Sequence, residues 1–245
     1  MTEAAQANGT IQADGAVRAA VRLDGVSKLY GGFAALRKVT VEFAAGSSTV
    51  VLGENGAGKS TLLRMIAGLI APTRGTVHVF GDEPRWQRRR MAYMSHEAML
   101  YDELTAMENL RYFARLYGEE GCALEQALGA VGLDPALTRP VGQYSQGMKQ
   151  RASLARVLQT DPELLLLDEP FSNLDVDSAR HMVELLMEFR TRPVSGVVAE
   201  LGARGRTIIL TTHQAHLAES LAETTLTMRA GTIQSIVGAA REEER

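Results

Sequence analysis

Apolar and polar residues alternate along two early segments of the chain and then form short unbroken apolar runs between helical segments. Alternation with a period of two over Val21–Ser27 and Leu36–Phe43 predicts an antiparallel pair of strands with one exposed face. The later runs predict parallel strands buried on both faces, at 48–52, 91–94, 164–167 and 207–211, with one more strand-like run at 76–80. This order predicts an α/β domain with a mostly parallel core sheet and an N-terminal antiparallel β subdomain.

The segment from Ala106 to Glu200 has a mostly helical pattern, in which apolar residues recur every three or four positions. Core packing, rather than ligand binding, best explains an apolar stripe made of Met107, Leu110, Phe113, Ala114 and Tyr117. We therefore expect a helical subdomain, inserted into the sheet domain at about residues 98–160. The composition of residues 1–20 predicts a flexible leader, and that of residues 237–245 predicts a charged tail.

The composition is that of an ordinary globular protein, with 45% hydrophobic and 22% charged residues in a chain of 245. The formal net charge of −3 argues against a dedicated nucleic-acid binder, because such domains usually carry a basic excess. The single cysteine, Cys122, excludes an intrachain disulfide framework and a cysteine-based metal site. No segment is long and apolar enough to span a bilayer, so work at a membrane requires other chains to do the spanning.

A glycine-rich phosphate loop lies between the strand at 48–52 and a helix-type run at 62–69. Its glycines let backbone N–H groups point at phosphates. Lys59 supplies a point charge, and Ser60 supplies a hydroxyl ligand for Mg²⁺. The pattern predicts that a nucleoside triphosphate binds with Mg²⁺ to nine consecutive residues: Gly53, Glu54, Asn55, Gly56, Ala57, Gly58, Lys59, Ser60 and Thr61.

A second nucleotide element is the apolar run Leu164–Leu167, which ends in Asp168, Glu169 and Pro170. A buried strand holds the two acids rigidly at the carboxyl edge of the sheet, where α/β folds bind ligands. Asp168 is then placed to hold Mg²⁺, and Glu169 to orient an attacking water. Two acids also occur at ordinary solvated strand ends, but the phosphate loop favours the catalytic interpretation.

The segment Tyr144–Arg151, together with the two nucleotide motifs and their order, resembles the ATP-binding subunit of an ABC transporter over roughly residues 21–236. The resemblance implies a P-loop NTPase fold and ATP hydrolysis by a head-to-tail dimer. In that dimer the signature residues of one chain close over the ATP bound by the other, and they correspond here to Ser145, Gln146 and Gly147. Ser145 also has the chemistry of a helix N-cap, and the two roles can coexist.

Other roles follow from the resemblance one residue at a time. Tyr30 matches the ring that stacks on adenine, with a half-buried tyrosine at a strand end as the alternative. Asp175 ends a segment that resembles the D-loop, which touches the partner subunit. His213 resembles the switch histidine, so the implied catalytic residues are Lys59, Glu169 and His213. Three other histidines carry no motif and are interpreted as structural or surface residues: His78, His181 and His216.

The chain departs from the family at His96, where the family has a glutamine that helps to arrange Mg²⁺ and water. An imidazole can still donate or accept a hydrogen bond there. This histidine and the segment Thr211–Gln214 are similar to haem-exporter ATPases of cytochrome c biogenesis, whereas Gln146 and Met148 resemble drug- and polymer-export ATPases. A second departure is an insertion at 191–199, which predicts a surface loop and a possible partner contact.

The implied partners are a second copy or a paralogous ATPase, together with integral membrane permease subunits, and not nucleic acid. The implied location is peripheral, on the cytoplasmic face of the membrane, and the implied direction is export. An ABC-type ATPase that remodels a ribosome or DNA is one alternative, disfavoured by the single phosphate loop and the lack of sustained heptads. A non-hydrolysing adaptor is another, disfavoured by Glu169 and His213. A solvated face with local ion pairs best explains a basic cluster made of Arg85, Arg88, Arg89 and Arg90.

Overall fold

The computed structural model describes residues 19–118, 123–192 and 205–238. In chain order its strands are β1 (Ala19–Tyr30), β2 (Phe33–Ala44), β3 (Ser48–Leu52), β4 (Arg74–Val79), β5 (Met91–Met94), β6 (Leu164–Asp168), β7 (Thr207–Thr212), β8 (Thr224–Arg229) and β9 (Thr232–Gly238). Its helices are α1 (Lys59–Ile66), α2 (Ala106–Tyr117), α3 (Leu124–Ala130), α4 (Gln146–Leu158), α5 (Val176–Thr191) and α6 (Ala215–Ala218). Short 3₁₀ turns lie at Pro84–Trp86, Val141–Gln143 and Glu219–Leu221.

A three-stranded antiparallel sheet forms the N-terminal subdomain, in the order β2-β1-β4. Side chains along β1 and β2 are buried roughly in alternation, because a strand directs successive residues to opposite faces. The two predicted strands are confirmed, and each extends beyond its predicted bounds. The predicted strand-like run at 76–80 is β4, which joins this sheet.

The second sheet has six strands in the order β5-β6-β7-β3-β8-β9. The first five are parallel, and β9 runs antiparallel to β8 at one edge. All four predicted core strands are confirmed, and all four residues of Leu164–Leu167 are fully buried. The carboxyl ends of β3, β6 and β7 therefore meet at one edge, where Asp168 lies opposite Thr211.

Helices α2, α3 and α4 pack on one another beside this sheet. Their side chains Leu110, Leu128 and Leu154 share one buried core with Leu165 and Leu167 of β6. The structure thus confirms the α/β fold with a mostly parallel sheet, an antiparallel subdomain and inserted helices, while the domain bounds at 21–236 and 98–160 stay predictions.

Core packing explains only part of the apolar stripe on α2. Leu110 and Ala114 are buried, whereas Tyr117 is 44% exposed. The prediction was therefore wrong for Tyr117, because the stripe runs past the edge of the core as α2 reaches its C-terminus.

Helix α1 begins three residues before the predicted run at 62–69 and ends three residues before its end. The early start follows from the phosphate loop, whose last glycine leads directly into the helix at Lys59. The early end follows from Gly68, whose φ of 68° takes the chain out of the helix.

Several predicted segments lie wholly or partly outside the described residues: 1–18 of the leader, Cys122, 193–199 of the insertion and 239–245 of the tail. Within the described ranges, none of the helices has the length and apolar character that crossing a bilayer requires.

Candidate functional site

The phosphate loop (residues 53–61) connects β3 to α1, and two of its glycines have positive φ, 82° at Gly56 and 102° at Gly58. A Cβ on Gly58 would lie 2.7 Å from the carbonyl oxygen of Ala35, so β2 and the loop can approach only at glycine. Helix α1 begins at Lys59, and the first N–H groups of a helix have no acceptor within that helix. The start of α1 therefore presents N–H donors of the kind that bind anions.

Lys59 is buried at the base of this loop, with 5% of its surface exposed. Its Nζ donates to the carbonyl oxygens of Gly53 at 2.7 Å and Glu54 at 3.3 Å. The same Nζ lies 3.1 Å from Oε1 of Glu169, which brings the loop and the end of β6 into one ion pair.

Asp168 is fully enclosed and accepts three hydrogen bonds from hydroxyl groups. Its Oδ1 accepts from Ser60 Oγ at 2.9 Å and from Thr211 Oγ1 at 2.8 Å, and its Oδ2 accepts from the hydroxyl of Tyr93 at 3.0 Å. These donors fix the orientation of the carboxylate. The oxygens of Ser60 and Asp168 thus lie side by side, and oxygen is the ligand atom that Mg²⁺ prefers.

Sequence reasoning missed Tyr93 and Thr211, which hold Asp168 from the two neighbouring strands. Burial, first, and the nearby Asp168 carboxylate raise the pKa of Tyr93 to about 12, so its hydroxyl stays protonated and donates. Arg64 Nε also lies 3.4 Å from this hydroxyl. The signal that could have found both residues is their position late in β5 and β7, the strands that flank β6.

Glu169 has a backbone φ of 52°, which is unusual for a residue with a side chain. Its N–H is held by both the carbonyl oxygen and Oγ1 of Thr211, each at 3.1 Å. Its Oε2 lies 3.0 Å from Nδ1 of His213 and accepts from the N–H of that residue at 3.3 Å. One carboxylate therefore contacts Lys59 on one side and His213 on the other.

A second cluster forms where α4 and α5 begin. Ser145 caps α4 by accepting from the N–H of Met148 at 3.2 Å, as its N-cap chemistry predicted. Asp175 caps α5 by accepting from the N–H of Ser178 at 2.7 Å and from its hydroxyl at 3.1 Å, and these bonds lower the pKa of Asp175. A Cβ on Gly147 would lie 2.7 Å from Oγ of Ser178, so the two helix starts adjoin.

The structure places the signature residues on the surface, since Ser145 and Gln146 are exposed. Among the described residues, the side chains of Ser145 and Asp175 accept hydrogen bonds from Met148 and Ser178, and not from the cluster around Asp168. The predicted site residues therefore divide into two groups within one chain, one around Asp168 and one around Ser145.

Two further predicted residues lie at or just after the ends of strands. Tyr30 ends β1 with its ring half exposed and with Nζ of Lys28 at 5.2 Å from the ring centroid. His96 follows β5, where its carbonyl oxygen accepts from Nε2 of Gln150 at 3.4 Å and its Nε2 lies 3.9 Å from Glu97. Their roles toward a nucleotide stay predictions.

A comparison with protein-family models decides the family. The model described as ABC transporter matches residues 36–172, which is more than half of the chain. The chain belongs to the ABC transporter family of ATP-binding subunits. A second model, described as an AAA domain, putative AbiEii toxin, Type IV TA system, matches residues 127–219 of the same ABC-type ATPase.

Curated relatives of this ABC-type ATPase carry several different names. The ABC transporter ATP-binding protein NatA of Bacillus subtilis is 34% identical over 208 residues, which cover 81% of the chain and 80% of that relative. An Fe(3+) ions import ATP-binding protein of Rhodococcus jostii is 37% identical, covering 91% of the chain and 63% of the relative. A fluoroquinolones export ATP-binding protein of Mycobacterium tuberculosis is 39% identical, covering 75% and 59%. The chain thus spans less than two thirds of the last two.

Among solved structures, the ATP-binding cassette MJ0796, in a dimeric post-hydrolysis state bound to ADP and Pi, has the same fold. It superposes with a TM-score of 0.77 at 24% identity, and the match covers 90% of this ABC-type ATPase and 99% of that chain. The superposition confirms the predicted cassette fold.

Proposed function

We propose that this ABC-type ATPase binds and hydrolyses ATP to drive export through separate membrane subunits, from a peripheral position on the cytoplasmic face of the membrane. The observation that carries the proposal is the carboxylate of Glu169, which contacts both Lys59 and His213. Three groups thus meet in one place: Lys59 for binding phosphate, Glu169 for polarising water and His213 for aligning the two.

The export direction rests on the resemblance of the signature segment, and the named relatives include both an exporter and an importer. Their names give fluoroquinolones and iron ions rather than haem. The haem-exporter subtype that His96 suggested therefore gains no support from them and is not part of this proposal.

In the proposed reaction the N–H groups of the phosphate loop and the Lys59 ammonium bind the β- and γ-phosphates and stabilise the charge that develops on them. Glu169 polarises the attacking water. His213, bonded to the same carboxylate, keeps that water and the γ-phosphate aligned. The hydrogen bonds from the N–H of Glu169 to Thr211 hold the backbone of Glu169 in its strained conformation, and strain of this kind often occurs at functional sites.

Mg²⁺ fits the oxygens that the site presents. The Ser60 hydroxyl and the Asp168 carboxylate would hold the ion, and no group of three or more acidic, histidine or cysteine side chains suited to a metal occurs among the described residues. Mg²⁺ is commonly bound in this way, by one or two protein oxygens together with substrate phosphates. When bound, it neutralises charge on the phosphates.

The second cluster acts on the ATP of a partner ATPase in this proposal. The start of α4, with Ser145, Gln146 and Gly147, presents N–H groups and the positive end of the helix dipole at the surface. Asp175 lies beside it and contacts the partner, while Tyr30 stacks on adenine and His96 forms a hydrogen bond near the γ-phosphate. Closing and opening of the dimer is the change that membrane subunits sense.

The test is the substitution Glu169→Gln, which keeps the shape of the side chain but removes its charge. We expect phosphate release to slow by about 10²-fold or more, since general-base catalysis contributes about 10²–10⁴. We also expect an ATP-bound dimer to accumulate, measured by gel filtration with light scattering. The matched control is Glu188→Gln, which breaks an exposed ion pair with Arg192 on α5 and leaves turnover unchanged.

Retention of more than about a tenth of the activity by Glu169→Gln contradicts the assignment of roles. Full turnover by an isolated monomer contradicts the dimer. A non-hydrolysing adaptor predicts instead that the unaltered chain dimerises with ATP and releases no phosphate.

A further inference from the structure

The loop between β5 and α2 (residues 95–105) is attached to the chain just before the signature residues. The N–H of Val141 donates to the carbonyl oxygen of Leu104 at 2.8 Å. The N–H of Gly142 donates to the carbonyl oxygen of Asp102, also at 2.8 Å. A Cβ on Gly142 would lie 3.0 Å from that same oxygen, so the two segments are in close contact.

Two side chains of α4 contact the same loop. Lys149, one helical turn after Ser145, donates from its Nζ to Oδ1 of Asp102 at 3.1 Å. The next residue, Gln150, is 5% exposed, and its Nε2 donates to the carbonyl oxygen of His96 at 3.4 Å. The beginning of α4 is therefore bonded to the loop both near its start and near its end.

A buried asparagine of α2 fixes the shape of the loop around Asp102. Asn109 is fully buried, and its Oδ1 accepts from the N–H of Tyr101 at 2.8 Å. Its Nδ2 donates to the carbonyl oxygens of Tyr101 and Thr105, each at 3.0 Å. A buried polar side chain that is satisfied in this way makes its surroundings rigid. Asp102 is thus presented to α4 on a rigid support.

The ion pair between Asp102 and Lys149 is poorly suited to a role in stability. The Asp102 side chain is 63% exposed and the Lys149 side chain 21%, and exposed ion pairs contribute little to stability. The pair is better suited to a role in position, because it joins the rigid loop to the first turns of the helix that carries the signature residues. Groups that act on a ligand have to be held within about 0.5 Å of their working geometry.

We propose that Asp102 and Lys149 are a positioning pair, which holds the start of α4 where the signature residues at 145–147 meet the ATP of a partner chain. Neither of the two side chains contacts the nucleotide. The inference rests on the proposed function, because that function supplies the partner and its ATP. The rival explanation for Lys149 is direct contact with phosphate, since lysine binds phosphate as a point charge.

The experiment starts from the full-length chain with Glu169→Gln, in which ATP-bound dimers accumulate under the proposed function. Lys149→Asp and Asp102→Lys are added to it singly and together. The first measurement is the chain concentration at which half of the protein is dimeric in ATP and Mg²⁺, by light scattering. The second is the affinity of the dilute monomer for a fluorescent ATP analogue.

Each single substitution places two like charges side by side. We expect the concentration for half-dimerisation to rise at least about tenfold, since misplacing a working group by about 1 Å can cost about 10²-fold. The affinity of the monomer for the ATP analogue stays unchanged, because the phosphate loop is intact. The thermal midpoint changes little, because the pair is exposed.

The double substitution exchanges the two charges and restores the ion pair. We therefore expect it to recover most of the dimerisation that each single substitution loses. The matched control is Arg85→Glu, which also places two like charges side by side, in an exposed pair with Glu83 outside both clusters of the site. This control dimerises like the Glu169→Gln chain.

Three results overturn the inference: normal dimerisation by Lys149→Asp and Asp102→Lys, no recovery in the double substitution, or equally weakened binding of the ATP analogue by the monomer. The second of these indicates that Lys149 contacts phosphate directly. If Lys149→Asp does not fold, Asp102→Lys alone decides the test, since its site is the more exposed of the two.

The same measurements separate this inference from the proposed function. A Glu169→Gln chain that forms no dimer with ATP refutes the proposed function. A Glu169→Gln chain that dimerises, with charge variants that dimerise equally well, refutes only the positioning pair.

Discussion

The cluster around Asp168 and the helix starts at Ser145 and Asp175 are held together in opposite ways. Asp168 is bonded to Ser60, 108 positions away, and to Thr211, 43 positions away. Ser145 and Asp175 are each bonded to a residue three positions later in their own helix. The first cluster is buried and requires the whole sheet, whereas the second is exposed and forms wherever its helix forms.

This difference separates two kinds of substitution effect. In the Asp168 cluster a lost contact misplaces a reacting group, so activity changes more than stability. Loss of a capping side chain lowers the stability of the protein at any helix. It also lowers activity only where that helix start contacts ATP. The predictions below test this separation.

The largest effect is expected for His213→Ala. Its ring and N–H both contact Oε2 of Glu169, and the substitution removes the ring contact, so the carboxylate is held less firmly and phosphate release slows by about 10²-fold. The thermal midpoint changes little, because the side chain is 45% exposed. The matched control is His216→Ala, an exposed histidine three residues later, and an equal loss of activity in that variant removes the special role of His213.

The next largest effect is expected when two capping residues are replaced, Ser145 of α4 and Thr105 of α2. Both side chains accept a hydrogen bond from a backbone N–H of their own helix. Ser145→Ala and Thr105→Ala each lower the free energy of unfolding by about 1 kcal/mol in urea titrations. Only Ser145→Ala slows ATP hydrolysis, by about tenfold, since it alone removes a donor to the phosphate. Equal activity of the two variants leaves Ser145 with a capping role only.

Mixing two variants with impaired turnover tests whether Ser145 acts across the dimer. A mixed pair of Ser145→Ala and Glu169→Gln contains one unaltered site if the signature of one chain completes the loop of the other. Random pairing in a two-fold dimer then restores about a quarter of the unaltered rate. Absence of any recovery indicates that Ser145 acts within its own chain.

A smaller effect is expected when Asp168 loses one of its hydroxyl donors. Tyr93→Phe and Thr211→Val each raise the Mg²⁺ concentration for half-maximal turnover by about threefold to tenfold, because the carboxylate loses a bond that fixes its orientation. The rate at saturating Mg²⁺ changes less. Tyr101→Phe is the matched control, since its hydroxyl lies 3.3 Å from the Tyr112 hydroxyl rather than at the site.

The smallest effect concerns acid stability at the second cluster. Hydrogen bonds from the N–H and then the hydroxyl of Ser178 lower the pKa of Asp175 in the folded chain. A lowered folded pKa contributes stability above the unfolded pKa, and this contribution is lost as the pH falls through the folded value. Asp175→Asn keeps a good cap but removes the titration. Urea midpoints between pH 7 and pH 3 should fall less in this variant, and an equal fall contradicts the assignment.

Local patterns predicted the phosphate loop, the four core strands and the cap at Ser145, because each depends on neighbours in the sequence. The strands β8 and β9 were missed. Thr224–Arg229 is rich in threonine, and five of the seven residues of Thr232–Gly238 at the sheet edge are exposed, so neither gives a strong apolar run.

The remaining features depend on register and burial, which a sequence pattern does not contain. Thr211 reaches Asp168 because β6 and β7 pair residue by residue. In the basic cluster, Arg85 pairs with Glu83 at 2.8 Å and Arg90 pairs with Glu163 through two hydrogen bonds, and the second of these pairs joins residues 73 positions apart. Arg156 of α4 is likewise buried, with its guanidinium 5.0 Å from the ring centroid of Phe113 on α2.

The left-handed backbone of Glu169 has an evolutionary consequence. Glycine at this position relieves about 1–2 kcal/mol of steric cost, yet deletes the carboxylate. The same exchange removes the ion-pair partner of the buried Lys59 ammonium, so the relief of backbone strain is offset by an unpaired buried charge. Selection for turnover and the cost of that unpaired charge thus both act against glycine at the position after Asp168.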